Sequence, residues 1–516
     1  MSGHEQGSAH GPVVVIGGGH NGLTAATFLA KAGHRVVLVE ADEALGGLAR
    51  RNEFHPGYAL PGLLSDTARV ERRVVEELGL GRYGLGWRKP PDVWVAPSSA
   101  GDGLWLRGNR VDGDLADGDA ERYREMCAFL ARIGDVLARV MRMPAPDIKG
   151  PLWSLIKTGW NVRKLGPTDM VELLRSAPMP MADWLSDHLA GDTLRAAVAM
   201  DALPGAFMAP RSPGSTGNLF LRLCTAGDEI VGGPSALVDA LSQAATAHGV
   251  TLRTGTPVRR IVLDQTSTSV EGVELADGEF IATGRVLASC DPKVTFLGLV
   301  GARYLPAELA RDIGNIRARG IVAKLHLALD GPLQNRADEP IEAMRIAGGL
   351  DDIERAFDSV KYGQFAERPA LAIRVPSMSE PGMCVNEGHH AASVTIYFAP
   401  HELRGEWTDD ARARLLAAVI TRAAEHLPGL RDRIVASELL TPADIAARYR
   451  ITQGHLAHGE HALDQLLFMR PTMSCSGYRT PIAGLYLCGS GSHPGGGITC
   501  VPGRLASQAF LVAHPA

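Results

Sequence analysis

The residues best suited to chemistry lie near the start of the chain, in Gly17-Gly18-Gly19-His20-Asn21-Gly22. This is a G-x-G-x-x-G turn. Gly17 permits the tight turn, Gly19 lets backbone N–H groups approach a pyrophosphate, and Gly22 lets helix and strand pack closely. Glu40 lies 23 positions beyond Gly17, where a carboxylate can accept the hydroxyls of an adenosine ribose. Ala41 follows it. Gly46-Gly47, continuing into Leu48-Ala49, offers a second close backbone approach to a bound cofactor.

Such a turn needs elements to hold it, and the flanking residues supply them. Val13-Val14-Val15-Ile16 is a short, β-branched apolar run that reads as a buried parallel strand. Leu23 to Ala32 reads as a helix closed by Gly33 as its C-cap. Val36 to Val39 is a second strand ending on Glu40. Strand, turn, helix, strand and acid in register predict a dinucleotide-binding unit over 12–50. A second fingerprint for a nicotinamide cofactor is absent, as is a redox C-x-x-C.

Other groups are placed less plainly. The run from Val322 to Leu329 reads as a strand, so Lys324 and His326 share one face. His455, His458 and His461 are spaced by threes. On one helix the first and third diverge by about 240°, so they cannot converge on one metal ion without a bend, and no metal is expected. Neither G-x-S-x-G nor H-E-x-x-H occurs.

Composition bounds the possibilities. With 516 residues, 45% of them hydrophobic, the chain can build two or three domains with real cores. A net charge of −5 gives no global electrostatic case for nucleic acid. Seven cysteines without a C-x-x-C fit free thiols in a reducing compartment. Residues 1–11 read as a disordered tail without a secretory signal, and no apolar run is long enough for a membrane span. A cytoplasmic protein is expected. Trp153 to Lys164 mixes tryptophans with bases, which suits an interfacial membrane helix or a surface helix with one packed face. Peripheral membrane contact is therefore an open expectation.

Along the chain, 67–225 reads as mostly helical with proline-broken connections. Ser235 to His248 reads as a helix. Val258 to Leu263, Val270 to Leu275 and Phe280 to Leu287 read as a β-meander. Gly484 to Cys488 is a strand feeding Gly489-Ser490-Gly491-Ser492-His493-Pro494-Gly495-Gly496-Gly497-Ile498 and then a helix to Val512.

Three ordered blocks carry a resemblance. They are Gly17 to Leu23; Gly454-His455-Leu456-Ala457-His458-Gly459-Glu460, continuing through Leu463 to Phe468 and Arg470-Pro471; and Ser476 to Pro481 with Gly484 to Gly497. Together they resemble flavoproteins of the phytoene-desaturase and amine-oxidase superfamily. The closer match is the branch called pyridine nucleotide-disulfide oxidoreductase domain proteins, relatives of carotenoid desaturases. The resemblance covers most of the chain and is weakest over 85–205 and 330–400.

The resemblance implies an α/β fold, with a Rossmann-like FAD-binding domain of GR2 type interleaved with a mixed α/β substrate domain. The implied FAD-binding pieces are 12–60, 226–299 and 451–516, and the substrate pieces are 61–225 and 300–450. It places the FAD pyrophosphate at Gly17 to Gly22 (Gly17, Gly19, His20, Asn21 and Gly22) and the AMP ribose at Glu40. Gly46, Gly47, Leu48 and Ala49 would lie beside the ribityl chain and isoalloxazine, and the Val258 backbone beside the adenine. Gly489, Ser490, Gly497 and Ile498 would cover the second phosphate and the pyrimidine edge of the flavin. Ser490 stands where many flavoproteins have an acid.

Lys324 resembles the lysine that amine oxidases hold near the flavin through a water; the alternative is a strand-edge lysine in solvent. His458 is expected to line the flavin pocket, and both are candidate catalytic residues. Cys500 stands where a small glycine is expected, as a redox or covalent group or as a small buried residue. The implied reaction is hydride removal from a small apolar or amphipathic molecule to form C=C or C=N, with O2 or a quinone as electron acceptor. The alternatives are flavin-dependent isomerisation of a polyene-type substrate, or a non-catalytic flavin-binding interaction protein.

Overall fold

A computed structural model describes residues 11–98, 101–146, 163, 165–380 and 382–515. The expected tail, apart from Gly11, and the expected 153–164 helix, apart from Arg163, lie outside the described residues.

A five-stranded parallel sheet organises the chain. Its order is Thr251–Arg253, Val36–Val39, Val13–Ile16, Val286–Ala288 and Leu485–Leu487. Val13–Ile16 is central and buried on both faces, which is why it is apolar without alternation. Val13 and Val15 pack with Leu23 and Leu29 of the helix His20–Lys31, Leu237 of Gly233–Ala247 and Leu505 of Val501–Ala513. Val14 and Ile16 face the other way, onto Ile261, Val273 and Phe296. The first face is thereby covered by helices from three distant sequence segments.

An antiparallel three-stranded sheet, Val258–Leu263, Val270–Leu275 and Phe280–Ala282, lies beside it. The expected third meander strand is too long. Thr283 breaks it by donating its hydroxyl to the Pro12 carbonyl, and Val286–Ala288 then joins the parallel sheet beside Val13–Ile16.

The second layer is an eight-stranded sheet. Its order is Ile434–Leu440, Val322–Leu329, His390–Tyr397, Leu371–Arg374, Ala343–Ile346, Val93–Val95, Leu104–Arg107 and Arg110–Gly113. Every pairing is antiparallel except that of Ala343–Ile346 with Val93–Val95. One face packs on the helix Asp409–Ala424 through Leu415 and Val419. Toward the Val93 end, Val95, Leu104 and Leu106 pack with Met126 and Leu130 of the helix Asp119–Arg142 and with Leu219 and Phe220 of Ser215–Cys224.

The reading of 67–225 as mostly helical is corrected here, because three strands of the large sheet come from 93–113. The overlooked signal is Leu104-Trp105-Leu106-Arg107-Gly108-Asn109-Arg110-Val111, an alternating run around a Gly-Asn hairpin turn. Among the described residues, no helix is long and apolar enough to cross a membrane.

Candidate active site

The glycine turn leaves Val13–Ile16 and enters the helix His20–Lys31, and each glycine meets a different constraint. Gly17 has φ +96°, and a Cβ there would sit 2.4 Å from Ser289 Oγ. A Cβ on Gly22 would sit 1.9 Å from the Gly17 carbonyl oxygen. A Cβ on Gly19 would meet nothing within 4 Å, because it would project into an open cavity. Gly46, at φ +120°, donates its N–H to the Gly18 carbonyl and brings the second glycine pair against the first.

The cavity is lined by Gly17, Gly19, His20, Asn21, Glu40, Ala41, Gly46, Gly47, Leu48, Val258, Ser490, Gly497 and His458. Gly22, Ala49, Gly489 and Ile498 are packed behind this lining: Ala49 and Ile498 belong to the core of the first domain, and a Cβ on Gly489 would sit 2.2 Å from the Ser289 carbonyl oxygen. Glu40 is fixed from two sides, with Oε2 accepting from the Gly18 N–H at 2.6 Å and Oε1 from the Asp42 N–H at 2.9 Å. Each oxygen keeps a lone pair for a further donor.

Three buried polar atoms on the lining residues, His20 Nε2, Asn21 Oδ1 and His458 Nδ1, have no hydrogen-bond partner among the described residues. Native interiors seldom leave such atoms unpaired, so they mark where a polar ligand belongs. Asn21 Nδ2 donates to Ser490 Oγ at 3.1 Å, joining the first and last pieces of the domain. Burial, with a smaller push from His458, lowers His20 to about 4 and keeps its ring neutral. An open glycine flank, unpaired donors and acceptors, a helix N-terminus and a pre-set carboxylate together fit FAD.

Several lining residues have no motif to announce them. Asp291 Oδ2 accepts from the Thr452 N–H at 2.8 Å and its Oδ1 from the Val294 N–H at 2.9 Å. Val294 and Leu299 belong to a π-helix, Val294–Gly301, a distortion common at functional sites. Arg450 spans 2.6 Å to Asp42, tying the chain before the third piece to the first.

The three histidines separate. Residues 455–462 form turns rather than a helix, so the divergence expected from helical geometry arises differently. His455 Nδ1 accepts from the Ala457 and Gly459 N–H groups, each at 3.2 Å. His458, at φ +56°, enters the cofactor cavity, where burial lowers its pKa. His461 Nε2 accepts from the Gly496 N–H at 3.1 Å and lines a second cavity.

That second cavity, of about 600 Å³, is walled by the helices Asp119–Arg142 and Ser215–Cys224, by residues 68–72 and by the turn at 494–496. Met126, Leu130, Met141, Val198, Leu221 and Leu223 give it apolar walls. Gly495 and Gly496 line it, while Gly497 lines the cofactor cavity, so one turn walls both. Arg470 braces that region. Its buried guanidinium donates to the carbonyls of Ala457, Gly459, Glu460, Gln465 and Ser490 at 2.7–3.4 Å. Burial lowers its pKa to about 10, which leaves it cationic.

Lys324 is not at a sheet edge. Its strand lies between two others, and the side chain, 3% exposed, donates to Thr395 Oγ1 at 2.8 Å. Burial, then the nearby Arg374, lowers its pKa to about 8. It shares a face with His326, whose Nδ1 lies 3.0 Å from Glu438 Oε2, and it lines neither cavity. Cys500 caps the helix Val501–Ala513 at φ +63° and is buried in the core of the first domain, where burial raises its thiol to about 12. It lines neither cavity and has no cysteine partner.

Fold and site define an FAD-dependent oxidoreductase. A profile described as NAD(P)-binding Rossmann-like domain matches residues 15–66, and one described as flavin containing amine oxidoreductase matches residues 189–507. The chain belongs to the flavin-containing amine oxidoreductase family. It is 28% identical to pyridine nucleotide-disulfide oxidoreductase domain-containing protein 2 of Rattus norvegicus, over 96% of this chain and 92% of that one. It is 26% identical to hydroxyneurosporene desaturase of Cereibacter sphaeroides, over 97% of each. Putrescine oxidase bound to putrescine has the same fold, with a TM-score of 0.63 at 15% identity over 98% of this chain and 99% of that one.

Proposed function

We propose that the protein removes a hydride from an apolar or amphipathic small molecule, leaving a C=C or C=N bond, with O2 or a quinone as final electron acceptor. The observation that carries this reading is the apolar cavity of about 600 Å³ sharing the Gly495–Gly497 turn with the cofactor cavity. The volume is that of a typical small-molecule site. The similarity to a protein named hydroxyneurosporene desaturase points the same way.

FAD, when bound, supplies the hydride acceptor. The chain's part is to orient one C–H bond, exclude water and handle one proton. Met126, Leu130, Met141 and Leu223 provide the dry walls. Lys324 lines neither cavity, so it is not assigned that proton. Thr395 Oγ1 fixes its Nζ. His458, set among Asp291 and Ser490 in the cofactor cavity, serves binding of the cofactor instead of touching substrate.

The test is anaerobic mixing of the FAD-loaded protein with a panel of polyenes, alkyl carboxylates and alkyl amines. Bleaching of the oxidised flavin band with one class, with a product lighter by two hydrogens, is the expected result. A panel that leaves the flavin oxidised while dithionite reduces it would overturn the reading. A product of unchanged mass would replace it with isomerisation.

A further inference from the structure

The second cavity carries an excess of positive charge at the end nearest the cofactor. Its lining charges are Arg69, Glu71, Arg72, Asp135, Arg142, Asp201, Arg222 and Asp228. Most are neutralised locally. Arg142 bonds Glu71, Arg72 bonds Asp228 at 2.6 Å, and Asp201 takes both arms of Arg345 at 2.7 and 2.9 Å. Asp135 is exposed.

Arg69 and Arg222 are left with one carboxylate between them, at contacts too long for hydrogen bonds. Asp66 Oδ2 lies 3.6 Å from Arg69 Nε and 3.7 Å from Arg222 Nη2. Asp66 is itself 48% exposed, whereas the two arginine side chains are 10% and 17% exposed. Arg69 Nε has no hydrogen-bond partner among the described residues. A Cβ on Gly497 would sit 2.2 Å from Arg69 Nη2, so this guanidinium lies directly against the turn that walls the cofactor cavity. His461 adds no further positive charge, since burial together with Arg470, Arg69 and Arg222 keeps its ring neutral.

Arg222 also donates to the Pro204 carbonyl at 3.3 Å, but two largely buried guanidinium groups facing a cavity with one shared, half-exposed acid are costly unless an anion completes them. Guanidinium geometry matches a carboxylate with paired N–H···O bonds. We propose that Arg69 and Arg222 bind the carboxylate head of the substrate, whose apolar chain lies along Met126, Leu130, Met141 and Leu223. The substrate class is then a monocarboxylate with an apolar chain. This rests on the second cavity being the substrate cavity, as in the proposed function. It also makes binding polar at one end and unspecific along the chain, because the residues placed beside the chain are aliphatic or Met.

Calorimetric titration of the FAD-loaded protein with sodium decanoate, 1-decanol and decylammonium separates the possibilities, because the three probes share one chain and differ in head group. Decanoate is expected to bind about 10-fold or more tighter than decanol, and decylammonium more weakly than either. Arg222→Gln should cost about 10- to 100-fold for decanoate and leave decanol affinity and FAD content unchanged. Arg222→Lys keeps charge and bulk and should recover part of the loss, which a merely unfolded variant would not. Equal binding of decanoate and decanol to the wild type overturns the proposal. So does loss of FAD from a folded Arg222→Gln protein, which would make the pair part of the cofactor site. If decanoate binds through the arginines while no panel compound reduces the flavin, the subsite stands and the proposed reaction falls. If neutral polyenes reduce the flavin and decanoate does not bind, the reverse holds.

Discussion

The two cavities that share the Gly495–Gly497 turn are built from different materials. The cofactor cavity is made largely of backbone and of residues chosen for what they lack. Gly17 and Gly46 hold positive φ, and the flank of Gly19 is empty so that a ligand can occupy it. The second cavity is made of side chains from eight separated stretches, between Ala68 and Val501, none with a fixed spacing. A site that needs the backbone to come close constrains residue type position by position. A site that needs an apolar wall accepts Met, Leu or Val almost equally.

Breaking the first cavity should therefore give the larger effects. Gly22→Val places a branched side chain where even a Cβ lies 1.9 Å from a carbonyl oxygen, and it is expected to prevent folding, read as loss of soluble protein. Gly19→Val, with nothing within 4 Å of its Cβ position, should fold with an unchanged apo melting temperature. Its FAD affinity should fall by about two orders of magnitude in a reconstitution titration. Equal FAD binding by Gly19→Val would mean the open flank is not where the cofactor lies.

Next in size is the brace between the cavities. Arg470→Met removes the donor to five buried carbonyls and is expected to cost about 3–5 kcal/mol, measured as a lowered urea midpoint. A midpoint within error of the wild type would show that those carbonyls find other partners.

Acid should act on the same region. Burial lowers His455 and His493 from 6.5 to about 4. The unfolded chain then takes up protons first, so the stability these groups provide is complete above pH 6.5 and is lost as pH falls toward 4. The loss is about 2 kcal/mol each between pH 7.5 and 5. Thermal melts across that range should show a steadily falling midpoint, and a flat profile would place these rings in water.

The smallest stability effect is expected at Lys324, and it has the opposite sign. Its pKa is lowered from 10.5 to about 8, so burying the charged amine costs stability below that pH. Lys324→Met should raise stability at pH 7 by on the order of 1 kcal/mol, net of the donor lost by Thr395, with turnover largely unchanged. A less stable variant, or one whose turnover falls sharply, would contradict this placement of Lys324.

The same contrast explains what could be read from the chain. Val13–Ile16, the glycine turn and Glu40 were legible because a parallel strand buried on both faces and a pyrophosphate turn each demand particular residues in order. Lys324 could be placed on a strand, but its burial was hidden, because the flanking strands Ile434–Leu440 and His390–Tyr397 are far away in sequence. The 93–113 strands were obscured by the prolines around them, although Gly108-Asn109 marked the hairpin. Asp291, Arg450 and the π-helix at Val294 line the cofactor cavity without any local pattern. Arg69 and Arg222 take their meaning from each other and from a single shared acid. No spacing in the sequence could reveal that arrangement.

The most direct measurement is an absorption spectrum of the purified protein before and after acid precipitation, with the released pigment identified by mass. The lining of the first cavity and the burial of Cys500 away from it predict a yellow protein that releases FAD into the supernatant. Colour retained in the pellet would contradict the placement of Cys500 as a packing residue. A colourless protein that FAD cannot reconstitute would contradict the assignment of the cavity itself.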